Sequence, residues 1–369
     1  MPRPPSPLPD ELGDAFTRGS ALAAGVSARR LRAKDLESPF HGVRQRPEPK
    51  TKAATEPEAQ AGRTAAPASE APSSTASAAQ TGPAVAAKTA DGDTKPDTPF
   101  ALDRIARKKL LRRAKAYREV MPEHAFFVGR SAAGAYELPI TPGDDLEIGV
   151  LAPSSAPRGR GVRGIKVQPS LVQVRTHEGL RVSTPASTWA MLGRELSVRE
   201  LVTVGDAIVR IPRDDKGRPQ PDRQLATIAH LRLAVEAGPR RGVAKLREAV
   251  EHIRVGSSSP LETEYRLDAA AAGLPEPGLD VAIRDGRGAL LGITEVAYLE
   301  YRTLVEIEGD HHRTDKKQWD RDIEKYAAYV AEGWEVVRLT SRHIRGRRPR
   351  AATLVRDVLV RRGWSPQPR

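Results

Sequence analysis

Two segments near the C-terminal end mix apolar and acidic side chains in the two-residue period of paired β-strands. Residues 290–298 include Gly292-Ile293-Thr294-Glu295-Val296-Ala297-Tyr298, and residues 303–308 include Leu304-Val305-Glu306-Ile307-Glu308. The second runs directly into Gly309-Asp310-His311-His312. Side chains on a strand alternate between faces, so Glu306 and Glu308 share one face while Val305 and Ile307 point to the core. Carboxylates held close together raise each other's pKa, a cost that a divalent cation removes. Glu295, on the preceding strand, is placed to join them, and the three predict a site of hard oxygen ligands.

The flanking segments supply a topology. Residues 258–273 read as a helix, with Ser259 as cap and Pro260 in its first turn. Asp280–Arg284 is a strand, and Asp285-Gly286-Arg287-Gly288 has the residues of a hairpin turn. After the two acidic strands, residues 314–332 read as a long helix with the stripe Trp319, Ile323, Tyr326 and Val330 facing the core. Gly333 ends it, 334–339 is a Val-rich strand, and 351–362 is a last helix. The predicted class is α/β, and the order in this part is α-β-β-β-α-β-α.

Residues 257–364 resemble the PD-(D/E)XK nuclease superfamily, and within it the very-short-patch-repair-like branch of domain-of-unknown-function endonucleases. The residues that carry the resemblance are Glu295, then Glu306-Ile307-Glu308-Gly309-Asp310-His311-His312, then Asp322-Ile323-Glu324-Lys325, then Gly333-Trp334-Glu335-Val336-Val337-Arg338. The family has Asp on the second strand where this chain has Glu295, a side chain one methylene longer. The resemblance implies a restriction-endonuclease-like αβββαβ domain that hydrolyses DNA with Mg²⁺ or Mn²⁺.

In that chemistry one cation orients and acidifies a water while it polarises the phosphoryl oxygen. Glu295 and Glu306 would ligate the metal, and Glu308 would ligate it or hold the attacking water. His312 is a candidate general acid or base because imidazole titrates near neutral pH. Glu262 is a second ligand or an orienting group, and it also suits a helix N-terminus as a plain charge. Asp322 and Lys325 share a helix face, where Lys325 can meet phosphate; such a pair is equally an ordinary surface feature. A non-catalytic DNA-binding regulator or antitoxin-like protein, with a degenerate nuclease fold, is the alternative reading.

Charge supports a polyanionic partner. The 369 residues carry a net charge of +13 and contain no cysteine, which excludes disulfides and thiolate metal sites. Arg342, Arg345, Arg347 and Arg348 cluster after the last predicted strand, where a basic rim beside an acidic centre suits a nucleic-acid backbone, double-stranded DNA above all. The Pro-rich start with Asp10 and Glu11 does not read as a secretory leader, and no apolar run spans a bilayer. A cytoplasmic protein without membrane contact is expected, with a homodimer or a protein partner possible.

Four further regions complete the reading. Residues 1–45 resemble the winged helix-turn-helix of abortive-infection-type antitoxins: a first helix at 17–24, a second at 27–33 with Arg29, Arg30 and Arg32 for DNA, and a wing at 40–43. Residues 46–99 are rich in Ala, Pro, Thr and Ser and predict a disordered linker. Residues 100–256 form a mixed α/β region that resembles the middle of the same antitoxin-like group. It holds a basic helix at 101–120, a helix at 125–138, strands at 146–151 and 162–175, the latter broken by Pro169, and helices started by Thr184-Pro185 and at 198–210, 225–237 and 241–252. Residues 365–369 are a tail.

Overall fold

The computed structural model describes residues 5–48, 99–308 and 316–366, while the side chains of 99–103 and 316–322 fall outside that description. The linker expected at 46–99 lies almost wholly outside the described residues. At its near end Arg46 is tied down, its guanidinium donating to the carbonyls of Gly13 and Pro9 at 2.9 Å each.

The N-terminal unit pairs strand β1 (Ala15–Thr17) with β2 (Val43–Gln45) around helix α1 (Arg18–Ala23). Thr17 caps α1 by accepting from the Ser20 amide at 2.9 Å. The second helix expected at 27–33 is a single 3-10 turn over Arg30–Arg32. Of that segment only Leu31 is buried among the apolar residues, too little to hold a helix that short. Phe40 turns inward and starts no wing strand; the strand begins at Val43. This unit docks on α2 (Pro99–Arg118). Phe40 meets the Tyr117 ring edge-on with centroids 5.0 Å apart, and Arg112 pairs with Glu37 at 2.7 Å.

The middle region follows as β3 (Ala125–Phe127), α3 (Gly129–Ala135), β4 (Leu146–Leu151), β5 (Arg158–Gly159), β6 (Val162–Val167), β7 (Val174–His177) and β8 (Leu180–Ser183). These strands form one sheet in the order β5-β6-β4-β3-β8-β7. The helix expected over 125–138 is therefore a central strand followed by a shorter helix. Phe126 and Phe127 pair with β4 and β8, and a short apolar run cannot be told from a helix by period alone. The break expected at Pro169 within 162–175 is a 3-10 turn at Pro169–Leu171 that separates β6 from β7. Helices α4 (Pro185–Leu192), α5 (Val198–Val209), α6 (Ile228–Glu236) and α7 (Val243–His252) then pack into the same core, with Trp189 fully buried and its Nε1 donating to the Leu201 carbonyl at 2.8 Å.

The C-terminal region runs α8 (Pro260–Ala271), β9 (Gly278–Arg284), β10 (Leu290–Tyr298), β11 (Thr303–Glu308), α9 (Lys316–Ala331), β12 (Glu335–Thr340), α10 (Ser341–Arg345) and α11 (Ala351–Arg361). Its sheet order is β12-β11-β10-β9; β11 and β12 are parallel and the other pairs antiparallel. Helices α8 and α11 cover one face through Tyr265, Val355 and Leu359 against Val296, Val305 and Ile307. Helix α9 covers the other, with Tyr329 against Ala297 and Leu304. The stripe expected on α9 is thus displaced: Ile323 and Val330 are 52% and 62% exposed, and Tyr329 is buried in their place. Trp319 lies outside the described side chains.

Helix α8 also joins the middle region. Asp206 on α5 is buried and accepts from Arg266 Nη2 at 2.7 Å, Thr263 Oγ1 at 2.8 Å and the Arg254 amide at 2.8 Å. Arg213 clasps Asp280, its Nε 2.8 Å from both carboxylate oxygens. No described helix is long and apolar enough to cross a membrane.

Candidate active site

Strands β10 and β11 pair through Val296 with Val305, and one step further the register sets Glu295 across from Glu306. There the backbone ladder stops. The Ile307 amide, beyond the last β10–β11 pair, donates to Glu295 Oε2 at 2.7 Å, so the carboxylate closes the open end of that strand pair. Burial pushes the Glu295 carboxyl up from 4.5 to about 8, with the Glu262 and Glu306 charges adding to it.

Glu306 lies on the face covered by α9 and is 6% exposed. Its Oε2 accepts from Lys325 Nζ at 2.9 Å, and that ammonium also donates to the Ile293 carbonyl at 3.2 Å. The rings of Tyr326 and Tyr329 each stand 5.6 Å from Lys325 Nζ. Lys325 is therefore aimed inward at a carboxylate and not at a surface phosphate. Glu306 Oε1 is buried with no hydrogen-bond partner among the described residues.

Glu262 comes from the opposite side of the sheet. Ser259 caps α8 by accepting from the Glu262 amide at 3.3 Å, and Glu262 Oε2 accepts from the Ser258 amide at 2.7 Å. The two bonds tie down the start of the helix, the second one residue before the cap. The group is nonetheless buried, and burial pushes its carboxyl to about 7.

The other expected site residues separate. Glu308 does not join the cluster: Arg338 on β12 binds its Oε1 through both Nε, at 2.6 Å, and Nη2, and stacks 5.1 Å from the Tyr326 ring. The parallel register of β11 on β12 sets Arg338 beside Glu306, so its side chain reaches along the sheet to Glu308. His312, with Gly309 to His311, lies outside the described residues, as does the Asp322 side chain. Among the described residues no three His, Asp or Glu side chains form a metal-ligand set. What remains is a pair of oxygen donors, Glu295 and Glu306, the second with an unused buried oxygen. That donor chemistry fits Mg²⁺ or Mn²⁺, which leave most of their coordination to water and phosphate.

Of the basic residues expected to meet nucleic acid, Arg342, Arg347 and Arg348 are exposed and make no ion pair among the described residues. Arg345 is engaged by Glu264, with its Nε 2.7 Å from Oε2. In the N-terminal unit Arg29 and Arg32 are exposed, while Arg30 is committed to Asp35 at 2.9 and 2.8 Å and to the Ser6 carbonyl at 2.6 Å. Sequence reading missed Tyr329, whose signal is the glycine opposite it, and the Asp206 cluster, which carries no motif.

A pH effect follows from the raised carboxyls. Between 4.5 and about 8 the folded protein keeps a proton on Glu295 that the unfolded chain gives up. Stability from this group is therefore fully present below 4.5 and is lost as pH rises through about 8. Urea unfolding in EDTA at pH 5 and pH 8.5 is expected to show Glu295→Gln losing less stability than wild type over that interval, by on the order of 2 kcal/mol after solvent screening. Equal losses in the two proteins would mean that this carboxyl titrates normally.

No protein-family model matches the sequence, and no curated protein matches it.

Proposed function

We propose that this chain is a metal-dependent endonuclease that hydrolyses phosphodiester bonds in DNA, with a restriction-endonuclease-like αβββαβ domain at its C-terminal end. The observation that carries the reading is the meeting of Glu295 and Glu306 at the open end of β10 and β11, beneath Lys325, with Glu306 Oε1 unpaired. Glu295 and Glu306 would hold one Mg²⁺ or Mn²⁺. The bound cation would supply charge neutralisation at the phosphate and acidify a water.

The chain's own groups do the rest. Lys325 fixes the Glu306 carboxylate so that only one oxygen is open, which narrows where a cation can sit. The Ile307 amide does the same for Glu295. Arg342, Arg347 and Arg348, exposed after β12, would hold the DNA backbone without reading its sequence. The net charge of +13 favours a polyanion over an acidic or neutral ligand.

One observation favours the alternative, a non-catalytic DNA-binding regulator or antitoxin-like protein. Glu306 and Glu308 each carry an internal counter-cation, Lys325 and Arg338, which is how a charge cluster is stabilised without metal. The two readings part on one assay. Supercoiled plasmid and a mismatch-bearing duplex are incubated with Mg²⁺, Mn²⁺ or EDTA. Metal-dependent nicking that EDTA abolishes is the expected result; salt-sensitive binding with intact DNA in every metal would overturn the nuclease and leave the regulator.

A further inference from the structure

Tyr329 stands one turn after Lys325 on α9, and its side chain is fully buried. Its hydroxyl has no hydrogen-bond partner among the described residues, and neither has Glu306 Oε1. A buried polar atom left unpaired is costly, so a donor and an acceptor both orphaned beside Lys325 call for a shared partner. A tyrosine hydroxyl is protonated near neutral pH and so offers a donor. Lys325 spans both, bonded to Glu306 Oε2 and 5.6 Å from the Tyr329 ring.

The backbone makes room for this hydroxyl. A Cβ at Gly292 on β10 would stand 2.4 Å from the Tyr329 oxygen and 3.2 Å from Lys325 Cγ. Any side chain there would drive α9 off the sheet at the point where the orphaned atoms lie. The absence of a side chain at 292 and the burial of a polar one at 329 are thus one feature.

We infer that Tyr329 is a positioning residue of the acidic site: its hydroxyl and Glu306 Oε1 together hold one water, of the kind bound to a divalent cation at Glu295 and Glu306. The water accepts from the phenol, and the cation that carries it takes the carboxylate oxygen that Lys325 leaves open. This rests on the metal-dependent reading and deepens it by naming the group that orients the water.

The test uses thermal unfolding of the full chain in EDTA and across a Mn²⁺ titration, for wild type, Tyr329→Phe and the neighbouring control Tyr326→Phe. Tyr329→Phe is expected to keep or raise the Tm in EDTA, as loss of an unpaired buried hydroxyl should. It is also expected to need about tenfold more Mn²⁺ for half of the upward Tm shift, with the control unchanged. An unchanged Mn²⁺ midpoint in Tyr329→Phe overturns the inference, and so does wild type without any Mn²⁺ shift. A moved midpoint with plasmid left intact by every protein upholds the inference and removes only the nuclease reading.

Discussion

Glu306→Ala is expected to lower metal-dependent plasmid nicking by about 10³-fold or more, the several kcal/mol of charge stabilisation that a bound cation supplies at a phosphate. In the proposed site Glu306 would be the best-placed ligand, because it is buried, held at one oxygen by Lys325 and open at the other. The alanine also leaves the Lys325 ammonium half-buried against the Ile293 carbonyl without its counter-charge, so the fold has to be checked alongside. Glu306→Gln supplies that check, since the amide keeps the shape and an acceptor for Lys325. Initial nicking rates in Mg²⁺ with Tm in EDTA measure both. Glu308→Ala is expected to cost about tenfold or less, because that carboxylate is bound by Arg338 and not aimed at the cluster. Equal losses from Glu306→Ala and Glu308→Ala would mean that Glu308 leaves Arg338 to act in the site.

Asp206→Ala is expected to destabilise the folded chain by about 3–5 kcal/mol, because it strands the buried Arg266 guanidinium and two further donors. Asp206 and Arg266 are 1% and 3% exposed, so solvent does little to screen the loss. Burial raises the Asp206 carboxyl even with Arg266 against it, which marks the pair as costly to bury. In thermal unfolding the loss corresponds to a Tm lower by about 10 °C. Replacing both partners with apolar residues, as Asp206→Leu with Arg266→Met, is expected to recover most of it, since the cost lies in the unpaired charge. Because Asp206 belongs to α5 and Arg266 to α8, the two regions are expected to unfold in one transition in wild type and to separate in Asp206→Ala. A single unshifted transition in the variant would show that the cluster does not couple them.

Several elements were legible from local pattern. Strands β10 and β11 begin and end at the residues their sequence period indicates, and Thr184 and Ser259 cap the helices that follow them. Alternating side chains and capping hydroxyls act over a few residues, so the chain shows them without its fold. The errors have a common cause as well. Residues 125–127 form a strand because β4 and β8 flank them, and 27–33 do not form a helix because little of that segment is buried. The face of α9 was misjudged because Ile323 and Val330 suit a core, yet the sheet beneath presents Gly292 and Glu306 to Tyr329 and Lys325 instead.

The candidate site divides along the same line. Sequence alone determined which carboxylates share a strand face and which strand brings Glu295 toward Glu306, because a two-residue period and an antiparallel pairing leave no other arrangement for them. Only the tertiary structure decided what each carboxylate is worth. Lys325 takes one oxygen of Glu306, Arg338 takes Glu308, the Ile307 amide takes Glu295, and the other Glu306 oxygen and the Tyr329 hydroxyl are left without a partner among the described residues. Those partners arrive from α9 and β12, and which of their side chains reaches which oxygen depends on burial and on the angle of a packed helix. Electrostatic strength depends on both and is not written in the spacing of residues along the chain.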